Sequence, residues 1–95
     1  MKLAWTPQAV EDLRSLRNYI AQENPHAGVG MVATIVTLVT QKLPKYPHSG
    51  REGRIAGTLE LVVPRTPYIV PYLVKDDTVN ILAVHHAARK WPEPF

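Results

Sequence analysis

The chain closes on His85-His86-Ala87-Ala88-Arg89-Lys90-Trp91-Pro92, its densest set of side chains able to do chemistry. An imidazole takes up and releases protons near neutral pH. A guanidinium matches the geometry of a phosphate, and an indole or phenol ring can stack on a nucleobase. A second run of cations lies upstream: Lys42, Lys45, Arg51, Arg54 and Arg65, against Glu52 and Glu60. Brought to one end of a fold, these groups suit binding or cutting a polyanion better than holding a small apolar ligand. The same charges also describe a plain solvated face, and His26 and His48 read as ordinary loop residues.

Bulk composition narrows the class. A net charge of +3 with a pI near 9.5 is a mild basic excess. The apolar fraction of 45% is that of a globular chain. A length of 95 residues predicts one domain over 1–95, with a thin core. The chain has no cysteine, which excludes disulfides, zinc–thiolate sites and a cysteine nucleophile. No metal or cofactor is expected, and a cytoplasmic location fits the lack of disulfides. Met1 to Trp5 run straight into polar helix sequence, so no leader is expected. The stretch from Val29 to Leu43 is interrupted by Thr34, Thr37, Thr40, Gln41 and Lys42, too short and polar for a bilayer.

Elements must bring the two basic groups together. Lys2 to Trp5 reads as a short strand. Thr6-Pro7 is a helix start, with Thr capping free amides and Pro at the first helical position. Glu11 and Asp12 lie early, where the helix dipole favours acids, and Ala9, Leu13, Leu16 and Ile20 form one apolar stripe. Asn24-Pro25 ends this helix and caps the next. From Pro25 to Leu43 the β-branched residues favour strand locally. The run has no internal turn, however, and Val32, Ile35, Val36, Val39 and Leu43 share a helical face, so a second antiparallel helix is predicted.

A loop opens at Pro44 and Pro47 and runs through Gly53. Strands follow over Leu59–Val63, Tyr68–Lys75 and Thr78–His86, with Asp76-Asp77 as a hairpin turn. Strict alternation puts Ile81, Ala83 and His85 on one face and Leu82, Val84 and His86 on the other. Pro71 has no amide hydrogen and predicts a lost ladder bond or a bulge. The fold class is α+β: a two-helix hairpin on a small, mainly antiparallel four-stranded sheet, β-α-α-β-β-β, whose second face is left for function.

The ordered set Trp5-Thr6, Asp12-Leu13, Tyr19-Ile20-Ala21, Asn24-Pro25, the Gly50–Arg54 loop, Gly57-Thr58-x-Glu60-Leu61-Val62-Val63, Tyr68-Ile69-Val70 and the His-Ala-Ala-Arg-x-Trp-Pro ending resembles the RelE/ParE superfamily. These are toxins of bacterial type II toxin–antitoxin pairs, and the resemblance covers nearly the whole chain. It implies growth arrest, and a cognate antitoxin that wraps and neutralises the toxin. It leaves two targets open: the ribosome with its mRNA, which RelE-like members cut, or DNA gyrase, which ParE-like members inhibit without catalysis.

Metal-independent RNA cleavage needs a base, cations for the phosphorane and an acid. On that reading His86 transfers protons, at a position where some ribosome-dependent members carry a functional histidine. Arg54, Arg65 and Arg89 join it as catalytic cations. Arg51, Lys90, Tyr68 and Trp91 hold the substrate, the two aromatics by stacking. The expectation puts the nuclease first, because a histidine and several arginines converge. Against it, Ile69 falls where RelE-like nucleases commonly carry an arginine, and Ala87-Ala88 replace a denser set of functional residues. A third possibility is a non-toxic, antitoxin-binding member. Bland alternatives are a packing role for His85, core roles for Tyr68 and Trp91, and a Glu60–Arg ion pair.

Overall fold

A computed structural model of the chain describes residues 1–88. The elements are β1 (Lys2–Trp5), α1 (Pro7–Ala21), α2 (Pro25–Lys42), β2 (Arg51–Glu52), β3 (Leu59–Val62), β4 (Tyr68–Lys75), β5 (Thr78–Ile81) and β6 (His85–His86). Both helices begin where the local sequence dictates. The Thr6 Oγ1 accepts the Ala9 N–H at 3.1 Å and the Asn24 Oδ1 accepts the Ala27 N–H at 3.2 Å, each with proline at the next position. The β-branched run of α2 is helical because Ile35, Val39 and Leu43 are all fully buried at helical spacing, and that burial outweighs a weak intrinsic preference.

The sheet runs β1-β5-β4-β3-β2, with β6 also pairing with β4. β1 lies parallel to β5 and the other pairs are antiparallel. One face packs on the helices. Its core joins Ala9, Leu16, Ile35 and Val39 to Leu61, Val70, Tyr72, Val79 and Ile81. Full burial of one such side chain stabilises by about 1.5–3 kcal/mol. The expected four strands become six segments. β2 is a two-residue edge strand inside the expected loop, and the last expected strand is split in two.

The split has a local cause. Tyr72 pairs with Ile81, but Ile69 pairs with His85, so three residues (Leu82, Ala83, Val84) stand opposite two (Val70, Pro71). This is a bulge. The Leu82 N–H donates to the Pro71 carbonyl at 3.0 Å, but Pro71 has no N–H to return. The first helix supplies what is missing. The Thr6 hydroxyl donates to the Leu82 carbonyl at 3.1 Å, and the Asp12 Oδ2 accepts the Val84 N–H at 2.9 Å. Asp12 therefore holds the bulge, a job more specific than the dipole role expected of it.

The extra residue also reverses the facing of everything after it. His85 shares the face of Ile69, whereas His86 shares the face of Tyr68 and the core. Strict alternation, which placed Ile81 with His85, fails at Ala83. Among the described residues, no helix is long and apolar enough to cross a membrane.

Candidate functional site

The face turned away from the helices is not bare. Glu60 points into it with only 3% of its surface exposed, and Ile69 and Pro71 are buried there too. A carboxylate survives such burial only with donors around it. Arg51, its cross-strand partner, reaches Glu60 Oε1 with Nε at 3.2 Å and Nη2 at 3.1 Å. The Arg54 backbone N–H donates to Oε2 at 3.0 Å. Glu60 thus ties the segment 51–54 onto the sheet. From the core face, Tyr72 ties the preceding segment: its hydroxyl donates to the Pro47 carbonyl at 2.8 Å and accepts the Gly50 N–H at 2.9 Å. Burial raises the pKa of this phenol, and the Gly50 bond opposes that shift. Gly50 fits because a Cβ there would lie 2.6 Å from the Tyr72 hydroxyl. A cleft of about 240 Å³ opens beside the ion pair, bordered by Lys42, Ser49, Arg51 and Val62.

His85 joins this face from β6. Burial lowers its pKa, Asp12 and Glu60 act to raise it, and Arg54 adds to the lowering. The ring is therefore neutral near pH 7 and able to accept a proton.

The structure separates residues that the sequence grouped. His86 lies edge-on to Tyr68, ring centroids 5.6 Å apart at 83°, on the helix side of the sheet. Its Nδ1 accepts the Ala88 N–H at 3.1 Å, so a proton carried by a neutral ring sits on Nε2. Arg51 and Glu60 occupy the other side. Tyr68 is 6% exposed and belongs to the core, which leaves no ring face for a base. Arg65 is exposed at the tip of the β3–β4 hairpin, with φ of 61°, while Arg51 and Arg54 cluster around Glu60. Arg89, Lys90 and Trp91 lie outside the described residues. The expected Glu60–Arg ion pair is present, with Arg51 as the partner, and His85, read in sequence as a packing residue, shares the face of Glu60. Pro71 was the available signal for His85, since it announces the bulge that changes its face.

Residues 3–91 match the ParE toxin of the type II toxin–antitoxin system parDE. The chain belongs to the ParE toxin family. This ParE-family toxin is 44% identical over 92 residues to the relative Y4kP of Sinorhizobium fredii, covering 97% of this chain and 94% of the relative. It is 36% identical over 88 residues to toxin RelE2 of Caulobacter vibrioides, covering 93% and 97%. A chain of the chromosomal ParDE toxin–antitoxin system from P. aeruginosa shares its fold with a TM-score of 0.83 at 28% identity, covering 90% of this chain and 95% of that one. The RelBE2 toxin–antitoxin complex from Mycobacterium tuberculosis gives 0.64 at 27% identity, covering 93% and 92%. The ParE-family toxin is thus the toxin component of a type II toxin–antitoxin module, built on the two-helix, mostly antiparallel scaffold of both relatives of known structure.

Proposed function

We propose that this toxin arrests growth in the cytoplasm by contact with a protein target, DNA gyrase, rather than by cutting mRNA, and that a cognate antitoxin neutralises it. The separation of His86 from Arg51 and Arg54 by the thickness of the sheet carries this reading. A nuclease must bring its proton carrier and its cations within hydrogen-bond reach of one phosphodiester. Ile69, buried in the middle strand, adds to the argument, because RelE-like nucleases commonly carry an arginine there. Inhibition by contact needs no catalytic group, and the match to ParE toxins over residues 3–91 supports it. A second reading, a ribosome-dependent nuclease built on His85, is favoured by the face that His85 shares with Glu60 and by its lowered pKa.

The test is induction of the toxin without its antitoxin, with DNA and protein synthesis pulse-labelled in the same culture. Contact inhibition of gyrase gives an SOS response while translation continues, and both His86→Ala and His85→Ala stay toxic. Rapid loss of translation with replication intact overturns the proposal. If His85→Ala alone then restores growth and intact mRNA, the second reading takes its place.

A further inference from the structure

The net positive charge of the chain has one address. Residues 42–65 hold five of the eleven Lys and Arg residues but two of the eight Asp and Glu residues. The remainder of the sequence is balanced, six against six. One of the two carboxylates in the basic stretch, Glu60, is buried and already bound to Arg51 and to the Arg54 amide. Lys42, the last residue of α2, and Arg51, on the edge strand β2, border the same cleft of about 240 Å³. Lys45 and Tyr46 follow on the turn after α2, both exposed, whereas Arg65 stands apart at the β3–β4 hairpin. The basic segment is pinned from both faces of the sheet. Tyr72 holds the Pro47 carbonyl and the Gly50 amide from the core face, and Glu60 holds Arg51 and the Arg54 amide from the other. A surface fixed in advance loses little conformational entropy when it binds.

The composition of this edge selects the ligand. A protein partner needs an apolar centre to its interface, and the large apolar side chains exposed here are Tyr46 and Val62. Interfaces with nucleic acid are more polar and far more positive, and lysine, arginine and tyrosine all donate to phosphate oxygens. Arg51 keeps 55% of its side chain exposed while Nε and Nη2 hold Glu60. We propose that the β2 edge, through Lys42, Lys45, Tyr46 and Arg51, binds the phosphodiester backbone of duplex DNA. Binding of this kind follows charge and does not read sequence. The choice of DNA over RNA rests on the gyrase reading above: a toxin lodged on that enzyme meets the duplex that the enzyme handles. The β2 edge thus adds a contact with DNA to the contact with protein.

The test is fluorescence anisotropy of the full-length toxin on a short labelled DNA duplex over a series of salt concentrations. Lys42→Gln with Lys45→Gln lowers the affinity about tenfold or more and reduces the slope of log affinity against log salt by about 2. Both lysines are exposed and take no part in the Glu60 cluster, so the variant folds, which circular dichroism checks. Lys2→Gln on β1, at the opposite edge of the sheet, with Lys75→Gln at the end of β4, removes the same charge and leaves the slope unchanged. Equal losses in the two variants overturn the inference, because overall charge and not this edge then governs binding. Tighter binding to single-stranded RNA of the same length also overturns it. A gyrase supercoiling assay run in parallel separates the two readings. A toxin that inhibits supercoiling but binds no duplex overturns the inference and leaves the gyrase reading intact. A toxin that binds duplex through this edge without touching supercoiling supports the inference and removes gyrase as the target.

Discussion

Taking a carboxylate out of water costs several kcal/mol unless donors replace the lost hydration. Glu60 is buried at the junction of β2 and β3 with two nitrogens of Arg51 and the amide of Arg54 directed at it. Arg51 is itself more than half exposed, so the pair is screened and its value lies in fixing the segment. Glu60→Ala should lower stability in urea by roughly 1–3 kcal/mol. It should also raise amide exchange at Arg54 far more than in β4. A uniform rise across the sheet would mean that Glu60 supports the whole fold and not this segment.

His85 gives a pH signature. Its folded pKa lies below the ordinary histidine value, with burial the largest cause. The unfolded chain therefore binds a proton at a pH where the folded chain does not. Stability is full above the ordinary value and falls as pH drops from there toward the lowered one. His85→Gln should flatten this part of the melting-temperature profile between about pH 7.5 and about pH 5. An identical slope in the variant would assign the dependence to another group.

The helices report on their contacts through pairs of substitutions. Thr6 caps α1 and also feeds the carbonyl of Leu82, whereas Asn24 only caps α2. Thr6→Ala should cost roughly 2 kcal/mol and Asn24→Ala roughly 1 kcal/mol in chemical denaturation. Equal losses would show that the Leu82 bond contributes nothing. Gly28 and Gly30 make a sharper pair. Alanine at position 28 meets the Arg17 carbonyl and should cost about 1–3 kcal/mol. Alanine at position 30 meets nothing within 4 Å and should stabilise by up to about 1 kcal/mol, since glycine is a poor helix former.

Elements were legible where their signals are local. Thr6-Pro7 and Asn24-Pro25 mark both helix starts, and Tyr68–Lys75 is a strand over the residues its composition indicates. Asp76 and Asp77 turn between β4 and β5 with φ of 54° and 57°, a conformation that aspartate tolerates. What escaped was set by distant partners. The facing of His85 and His86 depends on how three residues answer Pro71 and on what Thr6 and Asp12 supply. The burial of Glu60 depends on a loop folding back. The separation of His86 from Arg51 and Arg54 follows from that one inserted residue, because every side chain beyond a bulge changes sides.

The molecule as a whole keeps its polar cluster and its exposed apolar residues on different sides. The sheet face holds Glu60 and His85, while the helix side holds Val10, Val29 and Arg17. Charge changes confined to one side should therefore leave the other unaltered. Arg17→Glu with Val29→Asp should leave the slope of the melting-temperature profile that His85 produces unchanged. A flattened profile in that variant would mean that the two sides are coupled.

The parallel pairing of β1 with β5 sets a timetable for synthesis. Lys2 to Trp5 are made long before their hydrogen-bonding partners, Thr78 to Ile81, leave the ribosome. The clamp from Thr6 and Asp12 onto Leu82 and Val84 waits equally long. A chain that stops before β5 cannot close the sheet, so a translation product abandoned there carries no finished sheet face. The folded sheet face therefore arises only after β5 has emerged, when a partner made in advance can already be present.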